Sequence, residues 1–183
     1  MGSSSSPVSV LFACALLSDS PSLQHMENNP ALQKALDTAY RLLAGRPHTR
    51  AEIKRKLSRK GADADIIVQV LDELGRKGYI DEDAMALRWA QALVRDRLWG
   101  PLKTAAYLMQ KGLGRDLIDQ VQRRIWQEFD EAEIAALALH KRFSGTNDAA
   151  PAAKKAAFLR SRGFSSGVIY SLAKEPVHDD CYD

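Results

Sequence analysis

Side chains able to do chemistry are scattered along this chain rather than gathered. The four histidines, His25, His48, His140 and His178, share no ligand spacing with cysteines or carboxylates. Cys14 and Cys181 each stand alone, which excludes a paired-cysteine zinc site and points to a reducing compartment. His178, Asp179, Asp180 and Cys181 carry ligand atoms, but a short terminal tail is a poor scaffold for a metal ion. Asp81-Glu82-Asp83 are consecutive acids at the start of a predicted helix, where the macrodipole favours them without any metal. Gly112-x-Gly114 lacks the rest of any nucleotide fingerprint. No catalytic residue, cofactor or metal is therefore expected.

The best functional lead is charge. Arg46 to Lys60 holds seven basic residues against the single acid Glu52. Such an excess is an electrostatic footprint for phosphates or for an acidic partner. Ile53 and Leu57 fall on the inward side of a helix here, while Lys54, Arg55, Arg59 and Lys60 lie toward solvent. Arg46 and Arg50 enlarge the patch beyond an ordinary solvated face. The formal net charge is only +3 and unevenly spread. Residues 31–78 hold 11 basic and 6 acidic side chains, 79–129 hold 8 and 7, and 130–183 hold 7 and 8.

A repeat positions this patch. Lys60-Gly61, Lys111-Gly112 and Arg162-Gly163 recur at intervals of 51 residues. Leu57, Leu108 and Leu159 precede the glycines at one fixed offset, and Ile66-Ile67, Leu117-Ile118 and Val168-Ile169 follow at another. A fixed period means tandem copies of one supersecondary unit. In Leu-x-x-x-Gly, glycine takes the left-handed position past a helix end. The next residue (Ala62, Leu113 or Phe164) then folds back on the leucine as a Schellman cap. Asp63, Gly114 and Ser165 are suited to start the following helix. Each copy reads as helix, tight turn, helix.

Leu32, Ala35, Leu36, Ala39, Tyr40 and Leu43 add a helix before the first copy, ended by Gly45 and Pro47. Thr49 to Glu52 has the form of a capping box. Helices are predicted at about 63–77, 81–98, 115–129, 151–162 and 165–173, with Pro101 opening another. No convincing strand emerges. The fold class is all-α: an elongated array of three three-helix repeats, about nine helices, at 31–78, 79–129 and 130–174. Residues 1–30 read as a dispensable leader with Met26 an alternative start to Met1, 144–150 as a loop, and 175–183 as an acidic tail. No apolar run approaches the roughly 18 residues needed to span a bilayer.

Taken together, these residues resemble the RecX family of bacterial recombinase regulators over about Ala31 to Leu172. The pieces are Arg50-Ala51-Glu52-Ile53 through Lys60-Gly61, Gly78-Tyr79-Ile80-Asp81-Glu82 with Ala86, Gly100-Pro101 with Leu108 and Lys111-Gly112, and Arg160 with Arg162-Gly163-Phe164-Ser165. Two departures stand out: Met85 where relatives place an aromatic, and Leu102, Thr104, Ala105 and Ala106 leaving Lys103 almost alone where relatives are basic. The resemblance implies a cytoplasmic, monomeric, non-enzymatic modulator that lies along the RecA–DNA filament and suppresses its ATPase, strand exchange and coprotease activities. It adds Lys103, Lys111, Arg160 and Arg162 to the first-unit cations as expected contacts with RecA or with single- or double-stranded DNA. The competing reading is a stand-alone helix-turn-helix DNA-binding protein. Against it, the helix from Asp63 carries Asp65, Asp72 and Glu73 outward.

Overall fold

The computed structural model describes residues 29–143 and 150–173, and among them every regular element is an α-helix. The first three are α1 (Pro30–Gly45), α2 (Arg50–Arg59) and α3 (Ala64–Arg76). The next three are α4 (Glu82–Arg97), α5 (Pro101–Gln110) and α6 (Arg115–Glu128). The last are α7 (Glu131–Phe143), α8 (Ala152–Arg162) and α9 (Ser166–Ala173). Most of the expected leader, the 144–149 part of the loop and the acidic tail lie outside the described residues. The helical part begins slightly before Ala31: Asn29 Oδ1 accepts from the amides of Ala31 and Leu32, and Pro30 occupies the first turn.

The three glycine turns are Schellman caps. Gly61, Gly112 and Gly163 all sit at φ +81°. The amides of Ala62, Leu113 and Phe164 reach back to the carbonyls of Leu57, Leu108 and Leu159 at 3.2, 3.3 and 3.3 Å. Leu113 and Phe164 are buried by the fold-back, whereas the smaller Ala62 is only partly so. Two expectations need correction. Asp63 stands at the N-cap of α3, but its side chain makes no capping bond. The Thr49 capping box forms only one of its halves: Thr49 Oγ1 accepts from Glu52 N at 3.0 Å, while the Glu52 carboxylate is drawn to Arg46 and Lys111 instead.

Those turns also join the units. The α5–α6 turn seats on the start of α2, where Thr49 Oγ1 donates to the Lys111 carbonyl at 2.8 Å and Gly112 presses against Ala51. The α8–α9 turn seats on the start of α5 in the corresponding way. Gly100 N donates to the Arg162 carbonyl at 2.9 Å and Leu102 N to the Gly163 carbonyl at 3.0 Å. A Cβ on Gly163 would overlap the backbone nitrogen of Lys103. The two ends of the described array lack this contact: among the described residues nothing approaches a Cβ on Gly61, and Pro151, the third counterpart of Thr49 and Gly100, has neither amide hydrogen nor hydroxyl to donate.

Burial follows the same division. One core joins α1, α2 and α3 through Leu32, Ala39, Ile53, Leu57, Val70 and Leu74. A second runs without a break through α4 to α9, including Val94, Leu108, Val121, Ile125, Ala138 and Phe164. The latter two helical triplets thus share one core.

These contacts order the glycines by sensitivity. Gly61→Ala is expected to cost about 1–2 kcal/mol, the left-handed strain alone. Gly112→Ala and Gly163→Ala add a steric overlap with the neighbouring unit, for about 1–3 kcal/mol more. Urea unfolding of the three variants checks the ranking; equal midpoints would show that the turns do not interlock.

Candidate functional site

Helix α2 forms because Thr49 caps it and because Ile53 and Leu57 bury one stripe completely. Its opposite side exposes Lys54, Arg55 and Arg59, with Lys60 following at the C-cap. None of these four side chains is paired among the described residues. Arg55 and Arg59 stand one turn apart, a like-charge spacing that costs a helix about 0.2–0.5 kcal/mol. No acid lies on the same face of α2, since Glu52 is turned inward and 5% exposed at its side chain.

The other expected contacts, Arg160 excepted, have been given partners. Arg46 forks onto Glu52 at 3.0 and 3.3 Å, and Lys111 Nζ meets the same carboxylate at 3.3 Å from the end of α5. Lys111 Nζ also lies 5.4 Å from the ring centres of both Trp89 and Tyr107. Arg50 pairs with Asp72 of α3 at 3.0 Å, and its amide donates to Glu82 of α4 at 2.8 Å. Glu82 thus caps α2 across the unit boundary, and Asp81 caps α4 by accepting from Ala84 N at 3.0 Å. Those two acids have structural tasks that need no metal.

Lys103 and Arg162 meet at the junction of the second and third units. Lys103 Nζ donates to the Ser161 carbonyl at 2.9 Å, and Arg162 donates to the Arg97 carbonyl. Arg160 is exposed on α8 and does not join them. Missed by the sequence reading were Glu52 as a two-cation anchor, and Arg97, Lys141 and Arg142 near Lys103. A lone glutamate inside a basic run was a usable signal for the first; no local pattern marks the others.

Two groups at the first junction are held off their ordinary proton affinities. Burial by itself would raise Glu52, but hydrogen bonds from Arg46 and Lys111 outweigh it and hold the carboxyl below its usual 4.5. His48 is buried, and desolvation lowers it from 6.5 despite the Nδ1 hydrogen bond to the Arg46 carbonyl at 2.8 Å. His48 Nε2 has no partner among the described residues. Among those residues no group of three or more His, Cys, Asp or Glu is placed to hold a metal ion. No helix there is long and apolar enough to cross a membrane.

Comparison with known proteins agrees with this geometry. The family model described as RecX, first three-helix domain, matches residues 35–74, and RecX, second three-helix domain, matches 81–121. The regulatory protein RecX of Chlorobaculum tepidum is 38% identical over 143 residues, which is 76% of this chain and 86% of that protein. RecX of Halorhodospira halophila is 34% identical over 164 residues, covering 84% and 95%. The crystal structure of RecX from Lactobacillus salivarius has the same fold, with a TM-score of 0.67 at 21% identity over 78% of this chain and 94% of that one.

The lowered Glu52 and His48 give the first junction a defined pH response. In each case the unfolded chain takes up the proton first. The stabilisation is therefore present above the ordinary value and is lost as pH falls through the folded one. Stability should decline below about pH 6.5 and again below about 4.5, where the two ordinary values lie. Glu52→Gln should cost about 1–3 kcal/mol at neutral pH and flatten the more acidic step. Denaturant midpoints between pH 8 and pH 4, taken at ~1-unit steps across both ordinary values, check this; an acidic step unchanged in the variant would discard the Glu52 account.

Proposed function

The chain belongs to the RecX family of regulatory proteins, and from that premise we propose that it binds the RecA–DNA filament and restrains the ATPase, strand-exchange and coprotease activities of RecA. The observation that carries the reading on this chain is the outer face of α2. Lys54, Arg55, Arg59 and Lys60 are exposed and unpaired among the described residues, while nearby Arg46 and Lys111 are held by Glu52. Uncompensated cations on a rigid, capped helix suit a surface rich in phosphate or carboxylate.

In this reading the three units, residues 31–78, 79–129 and 130–174, offer successive contact surfaces on one filament. The protein acts without catalysis, as a monomer in the cytoplasm. The alternative of a stand-alone helix-turn-helix DNA reader is less favoured. Helix α3 follows the turn and would enter the groove, yet it exposes Asp65 and Asp72 beside Val68 and Gln69. Those carboxylates would face phosphates of the same sign.

The test is RecA ATP hydrolysis on single-stranded DNA with sub-stoichiometric to equimolar protein. Slower hydrolysis and shorter filaments are expected; unaltered rates and lengths would reject the reading. Replacing Lys54, Arg55, Arg59 and Lys60 together by glutamine should weaken filament binding by at least about tenfold, since lost phosphate contacts lower affinity and flatten its salt dependence. The thermal midpoint should change little, because exposed side chains contribute little to folding.

A further inference from the structure

A groove of about 910 Å³ lies between α8 and α9 of the third unit. Its walls are apolar: Ala153 and Ala156 of α8, Phe164 of the turn, Ile169 and Ala173 of α9, and Leu102 from the start of α5. Arg160 is the one charged residue in its lining among the described residues. Phe164 is buried, whereas Leu102 is 66% exposed.

The repeat explains why a groove opens here. Ala51, Leu102 and Ala153 are counterparts at 51-residue intervals. Gly112 presses on Ala51, and the Gly163 carbonyl accepts from the Leu102 amide at 3.0 Å. Among the described residues no following turn covers Ala153, which is exposed. The start of the second helix is thus covered in two units and bare in the third. A bland account is that alanines at the end of the described array cost little to expose, since folded surfaces carry many apolar atoms. It does not account for Leu102 and Ile169, which extend the patch beyond the alanines into one continuous apolar groove.

The chain holds a segment suited to cover it. Residues 174–183 lie outside the described residues and follow directly on Ala173, in the groove wall. They carry Glu175, Asp179, Asp180 and Asp183 against the single cation Lys174, with Pro176 and Val177 as an apolar pair. The groove has the opposite charge: α8 holds Lys154, Lys155, Arg160 and Arg162 and no acid, and α9 has no charged residue. No carboxylate pairs with Lys154, Lys155 or Arg160 among the described residues. Four extended residues span at most ~14 Å, so Val177 is within reach of the walls nearest Ala173. Tethering also raises the local concentration of the segment to the order of millimolar. Contacts too weak to hold a free peptide can therefore hold this one.

We propose that residues 174–183 fold back into this groove. Pro176 and Val177 lie against Ala153, Ala156 and Ile169, and Asp179 and Asp180 settle among Lys154, Lys155 and Arg160. Exposed ion pairs are individually weak and screened by salt, so the apolar pair supplies the hold and the acids the direction. The segment thereby withholds Arg160 from outside anions. RecA plays no part in this contact, which goes beyond the filament reading.

The experiment uses the full chain with Cys14→Ser, which leaves Cys181 as its one cysteine for a nitroxide label. Broadening of the backbone amide signals of Ala153, Ala156, Arg160 and Ile169 is read against the reduced label, without RecA or DNA. All four should broaden, and Val177→Ser, or Asp179→Asn with Asp180→Asn, should each lessen the effect. These substitutions lie outside the helices, so circular dichroism melts should be unchanged. Raising salt to ~1 M, where the screening length falls to about 3 Å, should lessen the broadening in the parent and leave the doubly amidated variant as it was. Absence of broadening in the parent, or equal broadening once all three substitutions are combined, would overturn the proposal. So would broadening in a mixture of isotope-labelled, cysteine-free chain with unlabelled, spin-labelled chain, which would place the segment of a second copy in the groove. RecA inhibition is not read here, so failure of this contact and failure of the filament reading remain separate results.

Discussion

The seating of one unit's glycine turn on the start of a helix in the unit before it is the contact on which the arrangement of this protein depends. A left-handed glycine lets the backbone approach without a side chain in the way, and the carbonyls around the turn become acceptors for the earlier helix. Thr49 supplies a hydroxyl for the first seating and Gly100 an amide for the second. Both solutions satisfy a helix terminus and a turn at once. Pro151 can donate nothing from its own nitrogen, and a Cβ on Gly61 would meet none of the described residues. Unit order is thus built into hydrogen-bond chemistry at three equivalent positions, while the helices around them stay similar.

The same junctions decide which charges remain available. A buried carboxylate needs partners, and Glu52 takes Arg46 from its own unit and Lys111 from the next. Arg50 is drawn to Asp72, and its amide to Glu82. A basic stretch that looks uniform as text becomes two populations. One joins units together; the other, Lys54, Arg55, Arg59 and Lys60, faces outward unpaired among the described residues. At the second junction the anchoring is different, because Lys103 and Arg162 are held by carbonyls and rings. Position there is secured without cancelling charge. Rigid uncompensated cations attract an anionic partner while paired ones only brace, so the proposed filament contact would draw on the outward set.

Much of the fold was legible in the chain because its cues are local. The three Leu-x-x-x-Gly turns, the 3.6-residue apolar stripes and the inward placement of Ile53 and Leu57 each involve residues within a turn or two of one another, and the 51-residue period is the recurrence of that local pattern. Local sterics and burial are sufficient to specify an all-α chain with its caps. What the tertiary structure alone decided was pairing at long range. Glu52 meets Lys111 across 59 positions, Lys103 meets Ser161 across 58, and Arg162 meets Arg97 across 65. Each separation exceeds the 51-residue repeat by only part of a unit, so it depends on how a unit sits on its neighbour. Periodicity says that neighbours exist but not which atoms touch. Glu52 therefore read as half of a capping box, and nothing local set Arg97, Lys141 and Arg142 apart until packing brought them to one cleft.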